Sequence, residues 1–465
     1  MFDKEIEGVY FWERIRFSVY QQILESLNLC RQANAEIKKT ILNKIFFTLR
    51  SLKSLFLINS LFTKPTKIVF FGHPRRKFLE DGKWWDIYCD PIIEKLKKKD
   101  YVYLEYPYLF GHFRPAKTEN LRYLDFINLQ SAIIRKFGLI KIRVNKQEKS
   151  FIEKIQEKIE KEFNINIDLV SIIVNDLLVR KSRISIYRKL LKQLSPEIVI
   201  LVVSYGQETV IEICKELGIP TIELQHGVIS KYDVGYSFHG ERRRKRMFPD
   251  YLFTFSDYWK NSVDFPIKKD HIFSIGYPYL EKENNKYSNT IKKNQILFIS
   301  QRTIGKELSK FAVEVSGHKE ISYNVIYKLH PREHNHWKKE YPWLAKANNE
   351  GRIKVNENET RSLYELMAES KIQVGVYSTA IYEGLNFGLK TYLLNVFGIE
   401  YMDFLLLSGA AEKVSTSNEF VEKIKKDKIN REVEKEYFFR KGSIENFFTV
   451  LKSILLSIGK RQKLV

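Results

Sequence analysis

Histidine stands just past a strand-like run in three places: "KIVFFGHP" (67–74), "TIELQHG" (221–227) and "NVIYKLHP" (324–331). Pro331 lacks an amide hydrogen and fixes φ, so a strand ends there and leaves His330 on its carboxyl edge. An imidazole so placed donates a hydrogen bond to an anionic oxygen, and Lys328 and Arg332 add positive potential. An isolated HP pair also serves as a plain strand terminator, and the second one, His73-Pro74, is read as structural or as binding the acceptor. A second element strengthens the first. "VGVYSTAIYEGLNFG" (374–388) reads as a strand, then Ser378-Thr379, then a helix closed by Gly388. Hydroxyls and free amides at a helix N-terminus make a phosphate site. Glu383 lies four residues after Thr379 on the same helix face, where it can accept hydrogen bonds from ribose hydroxyls. The plain alternative is an N-cap and a surface glutamate.

A reaction also needs a base. "FGHPRRKFLEDGKWWDIYCDP" (71–91) carries Glu80-Asp81-Gly82 in a long loop, with Trp84 and Trp85 beside Asp86 and Asp90. Such a loop suits an acceptor sugar, which stacks on aromatic rings and is activated by a carboxylate. Gly82 equally suits a tight turn at positive φ. Asp81 is the candidate base, with Glu208, His226 and Asp90 as rivals. In "IELQHGVIS" (222–230), Gln225, His226 and Gly227 follow a strand, and the glycine lets backbone turn close to a ligand. Arg302 and Lys306, after "QILFIS" (295–300), are candidates to assist a phosphate.

The elements that position these residues alternate. Strands are expected in the three runs above and in "YVYLEYP" (101–107), "EIVILVVSYG" (197–206), "YLFTFS" (251–256) and "HIFSIGYP" (271–278). The helix "QETVIEICKELGI" (207–219) between two of them makes a βαβ unit and a parallel sheet. The polar stretch 281–294 reads as a linker. A second series follows in "QILFIS", "NVIYKLHP", "RIKV" (352–355), "KIQVGVYS" (371–378) and "KTYLLN" (390–395). The expected division is a helical lead over 1–64, an acceptor domain over 65–280, the linker, a nucleotide-sugar domain over 295–430 and helices over 431–465. In open α/β sheets ligands bind at the carboxyl ends of strands, so the residues named above should line a cleft between two domains.

Composition narrows the partners. The chain has 465 residues, 44% hydrophobic and 14% aromatic, which excludes a mainly disordered protein. Its 78 Lys and Arg against 56 Asp and Glu leave a charge of +22, pointing to anionic partners. The cations are spread along the chain and no nucleic-acid module is recognisable, so a small nucleotide is expected rather than nucleic acid. Three cysteines without CxxC spacing indicate neither a disulfide framework nor a zinc site, and a reducing cytoplasm fits best. No signal peptide opens the chain and no run reaches the roughly 20 apolar residues of a spanning helix. Residues 38–62 alternate lysine and arginine with leucine, isoleucine and phenylalanine at near-helical spacing, as helices lying on an anionic membrane do; a helix packed on the next domain has the same pattern. The run "ERRRKRM" (241–247) reads as a solvated loop, or as attraction for a polyanionic acceptor.

With these motifs the carboxyl-terminal half resembles the nucleotide-sugar domain of GT-B glycosyltransferases. More narrowly, Glu80-Asp81-Gly82, His330-Pro331 and Ser378-Thr379 occur in the order of the three motifs of bacterial sialyltransferases and polysialyltransferases. Capsular Kdo transferases and CDP-glycerol polymerases also carry HP loops, and QHG recurs in related surface-polysaccharide enzymes. The acidic motif stands earlier in this chain than in the sialyltransferase pattern. The resemblance covers about residues 65–430. It implies an α/β GT-B fold with two Rossmann-like domains facing a cleft, and transfer of an acidic sugar from a CMP-sugar to a glycan or lipid-linked acceptor in capsule or lipopolysaccharide assembly. His330, Pro331, Ser378 and Thr379 would bind the CMP moiety and Asp81 would be the base. The place of action would be the cytoplasm, at the inner face of the cytoplasmic membrane. No DxD-like pair sits at a strand end of the second series, so no metal or cofactor is expected and activity should survive EDTA. Transfer of a polyol phosphate from a CDP-polyol is the alternative within enzymes, and a basic nucleic-acid-binding protein the alternative outside them.

Overall fold

The computed structural model describes residues 1–27, 29, 49, 63–108, 111–238, 245–357, 361–426, 434 and 436–462. Two parallel sheets dominate them. The first has seven strands in the order Ile272–Ser274, Tyr251–Thr254, Thr221–Leu224, Ile198–Val202, Ile68–Phe71, Tyr101–Glu105, Leu121–Tyr123. The second has six, in the order Ile353–Asn356, Asn324–Lys328, Lys293–Ile299, Ser370–Gly375, Lys390–Leu394, Glu412–Val414. In both, the first three strands run outward one way and the rest run outward the other way. That is the doubly wound Rossmann order, with its reversal beside the first strand of each sheet. The chain thus has the GT-B architecture of two Rossmann-like domains.

Every residue of Ile68–Phe71 and Ile198–Val202 is buried, as strands covered on both faces require. Val69, Phe71, Val199 and Leu201 meet Leu190, Leu191 and Leu194 of the helix Leu169–Leu194 and Ile211 of the helix Glu208–Glu216. Ile68, Phe70, Ile198 and Ile200 face the opposite cluster, which includes Ile92, Phe255 and Phe447. Phe447 belongs to the helix Ser443–Gln462, which follows the second sheet in sequence yet packs on the first.

Two departures from the sequence reading concern connections. The stretch 281–294 is helical at its start, since Pro278–Lys286 forms a helix with Pro278 at its first position and Tyr279, Leu280 and Glu283 buried. The helix is anchored by Tyr279 and Leu280, which lie just ahead of the polar stretch and are buried. Residues 38–62 and 242–244 lie outside the described residues, apart from Leu49, which is exposed. At the described end of the basic run Lys245 departs from the solvated-loop reading, being buried 4.0 Å above the Phe2 ring, whereas Arg246 is exposed and lies 4.3 Å above Tyr10. Among the described residues no helix is long and apolar enough to cross a membrane.

The helix Phe11–Ser26 joins both domains. Its Arg14 meets Asp176 at 2.6 Å, Phe17 stacks on Tyr205 at 4.1 Å, and the Tyr20 hydroxyl lies 3.0 Å from that of Tyr401 beyond the second sheet.

The return of the chain to the first sheet depends on Gly276. It has φ +98°, and a Cβ there would stand 2.2 Å from the Arg440 carbonyl oxygen. Gly276→Ala is therefore expected to destabilise the protein by about 1–3 kcal/mol, combining backbone strain with a clash against main chain. An unchanged melting temperature in the variant would show that this crossing can shift at no cost.

Candidate functional site

The carboxyl edges of the two sheets meet through the loop Gln225–Ser237. Gln225 fixes its base: its side chain donates to the Gly227 carbonyl at 2.7 Å and accepts the Phe255 N–H at 2.8 Å. From this loop the Val228 N–H donates to Thr379 Oγ1 at 3.2 Å, a bond between the domains. Thr379 opens the helix Thr379–Asn386, whose N-cap Ser378 accepts the Ala380 N–H at 3.3 Å. The Ser-Thr pair thus stands where expected, at a helix N-terminus just past the Ser370–Gly375 strand, beside the strand reversal. A cavity of about 280 Å³ lies here, lined by Val228, Ser230, Asp233, Gln301 and Tyr377 as well as Ser378 and Thr379.

His330 stands two residues past the Asn324–Lys328 strand, which is separated from Ser370–Gly375 by Lys293–Ile299. The Arg332 N–H donates to its Nδ1 at 3.2 Å, which makes Nδ1 the acceptor and leaves the proton on Nε2. Burial, reinforced by Arg332, Arg75, His334 and Arg302, pushes the imidazole down to about 4. His330 is therefore a neutral N–H donor near pH 7. The Glu333 carboxylate fixes the turn by accepting the His330 N–H at 2.7 Å, and its other oxygen accepts the Ser300 and Tyr341 hydroxyls at 3.0 and 2.9 Å. Arg302 is half-buried and acts on His330, whereas Lys306 is exposed on the first turn of the helix Gly305–Gly317.

The other HP pair has the same local geometry, with the Arg75 N–H donating to His73 Nδ1 at 3.1 Å. His73 lies 5.9 Å from His226, ring to ring. Between the domains stands Arg75, which the sequence reading did not single out. It retains solvent on one side and donates to the Tyr88 hydroxyl at 3.0 Å, while Glu383 and Tyr364 of the second domain act on it. The signal available in the sequence was the repeat of His-Pro-Arg at 73–75 and 330–332.

Glu383 differs from the expectation of an open ribose contact or a surface residue. It is wholly buried, neither carboxylate oxygen has a partner in hydrogen-bond geometry, and burial raises its pKa against Arg75 and Tyr364. Arg75 of the first domain favours its ionised form against that burial.

The candidate bases separate. Asp81 occupies the turn of the hairpin formed by Arg76–Phe78 and Trp84–Asp86, beside Gly82 at φ +74°, and pairs with Lys117 at 3.2 Å. Desolvation raises its carboxyl, but the hydrogen bonds from Lys117 and the Lys83 N–H, with the charges of both lysines, together hold it below the ordinary value. The turn reading describes it, and it shares no contact with His330, Ser378 or Thr379. Asp90 is buried, accepts the Thr118 hydroxyl and the Asp86 N–H at 2.6 Å each, and is pushed up to about 7 by burial and Asp86. It braces the loop from within. Glu208 accepts the N–H of Gly206 in its own turn at 2.8 Å and is raised to about 7 by burial. His226 has both ring nitrogens engaged, Nε2 with the Tyr205 hydroxyl at 3.2 Å and Nδ1 with that of Tyr236 at 3.3 Å, and burial drives it to about 3. It can take a substrate proton only by giving up a tyrosine. One backbone outlier marks this edge: Val203, just past Ile198–Val202, has φ +72°, which for a β-branched residue costs on the order of 1–3 kcal/mol.

Among the described residues no cluster of histidine, cysteine, aspartate and glutamate has the form of a metal site. Cys89 and Cys214 are buried thiols whose pKa burial raises.

No protein-family model matches the chain, and no curated protein matches it by sequence. Solved structures do resemble it. A UDP-GlcNAc 2-epimerase from Methanocaldococcus jannaschii is 12% identical over 83% of this chain and 99% of its own, with a TM-score of 0.48. One from Neisseria meningitidis bound to UDP-GlcNAc is 13% identical over 83% and 100%, with a TM-score of 0.47. A glycosyltransferase from Rickettsia africae is 13% identical over 84% and 99%, with a TM-score of 0.41. Likeness at this level carries nothing about the reaction, which must be argued from the cleft.

Proposed function

We propose that this chain is a nucleotide-sugar-dependent glycosyltransferase that moves an acidic sugar from a CMP-sugar to a glycan acceptor. The observation that carries the proposal is the meeting of the two carboxyl edges at Thr379, beside a capped helix N-terminus, with Arg75 of the first domain acting on both His330 and Glu383 of the second. Neutral donors and a helix terminus suit a phosphate whose charge grows as the bond to the sugar breaks. Arg75, Arg302 and Arg332 put positive potential around His330, which suits a phosphate and would also suit a sugar bearing its own carboxylate.

In this reading the second domain holds the nucleotide through Ser378, Thr379, His330 and Pro331, and the loops of the first domain receive the acceptor. A ligand that binds the native state raises its melting temperature. Thermal-shift screening of CMP-sugars, UDP-sugars and CDP-polyols should single out a CMP-sugar, and incubation of that donor with a glycan in EDTA should give a product heavier by one sugar residue. A product heavier by a polyol phosphate, or an epimerised UDP-sugar with no transfer, would replace the reading.

A further inference from the structure

Resting on the transferase reading, we propose that Asp233 is the base that takes the proton from the acceptor hydroxyl. It is the one acid among the described residues lining the cavity that also exposes Ser378 and Thr379. The loop that carries it is pinned to Thr379 through Val228, so the carboxylate and the phosphate-binding helix hold a fixed relation.

Its orientation is set locally. Oδ1 accepts the Gly235 N–H at 2.9 Å, and the Asp233 carbonyl accepts the Tyr236 and Ser237 N–H groups at 3.1 and 2.8 Å. Gly235 lies flat against Tyr205, whose ring would stand 2.6 Å from any Cβ there. Among the described residues none donates a hydrogen bond to the second oxygen, Oδ2, which is the state a base needs before its substrate arrives. The groups around the carboxylate are Arg16 from the first helix, Glu223 and Tyr205 from the first sheet and its edge, Tyr236 on the same loop and Tyr401 from the second domain. Burial outweighs the Gly235 N–H and Arg16 and raises the carboxyl to about 6. It is ionised at neutral pH yet basic enough to draw a proton.

The step balances without a co-reactant. The acceptor oxygen forms its bond to the anomeric carbon and the carbon–oxygen bond to the phosphate breaks. The bonding pair leaves with CMP, the hydroxyl proton passes to Oδ2, and water later removes it.

The test is Asp233→Asn, assayed with the donor identified by thermal shift. Turnover should fall on the order of a hundredfold or more, as loss of a general base does, while the donor still raises the melting temperature as in the wild type. The wild-type kcat profile should fall below about pH 6 and the residual activity of D233N should lose that limb. Turnover within a few-fold of wild type in D233N, with the limb intact, overturns the proposal and leaves the transferase reading standing. Absence of sugar transfer by the wild type from any nucleotide sugar overturns both. If D233N does not fold, the wild-type profile decides, a flat kcat down to about pH 5 counting against Asp233.

Discussion

Replacing His330 by alanine is expected to lower turnover on the order of a hundredfold or more and to leave the melting temperature nearly unchanged. The magnitude is that of losing one preorganised donor aimed at charge that develops in the transition state. The effect depends on which nitrogen carries the proton. The Arg332 N–H occupies Nδ1, so the imidazole can only donate from Nε2, and burial keeps it neutral. His330→Gln, with an amide hydrogen at the end of its side chain, should recover part of the loss. His73→Ala tests the twin turn, where Nδ1 is engaged in the same way but the ring adjoins Tyr88 and His226 of the first domain. It should change acceptor KM rather than donor binding. Small, equal losses of turnover in both variants, with lowered melting temperatures, would make the two histidines strand terminators and put the donor elsewhere.

Arg75→Ala should have an effect of similar or larger size, lowering kcat/KM for the donor by on the order of a hundredfold or more, because it removes the cation that acts on both His330 and Glu383. Arg75→Lys should restore little, since a point charge cannot replace a planar fork that donates to Tyr88 while facing Glu383. The same variant carries a pH signature. Burial holds Glu383 above its ordinary value, so the folded protein favours its protonated form. Stability from such a group is greatest at acid pH and falls as pH rises from the unfolded carboxyl value through the folded one. Without Arg75 the folded value rises further. The melting temperature of R75A should therefore drop more between pH 5 and pH 8 than that of the wild type. An equal drop would mean that Arg75 does not sense Glu383, and the inter-domain pair would be abandoned.

Sequence reached the frame further than the site. Each apolar run read as a strand contains one, because strands buried on both faces announce themselves as near-continuous β-branched and aromatic stretches. Leu121–Tyr123 and Glu412–Val414 escaped because three residues at a sheet edge show no period. Ser378-Thr379 and His330-Pro331 were legible because chain chemistry alone, a cap and a proline, fixes their place. Arg75 was hidden beside a dipeptide that drew attention to its histidine. Asp233 had no motif at all: its role depends on Val228 reaching Thr379 from the other half of the chain, a relation that no spacing encodes. Asp81 shows the converse, an order of motifs matched by a turn whose carboxylate is occupied by a lysine.

The interlocking of the two halves also governs how the chain can be made. A ribosome delivers Phe11–Ser26 before either Asp176 or Tyr401 exists, so the first helix must wait for partners from both domains. The first sheet waits longer still. Its lower face is covered by Phe447, and its last strands are tied down when Arg440 donates to the Ser274 and Phe255 carbonyl oxygens. Domains commonly fold in the order in which they emerge. Here the second sheet, whose strands run without interruption from Lys293 to Val414, can close while the first is still open. The domain synthesised first thus cannot be completed until Arg440 and Phe447 have emerged.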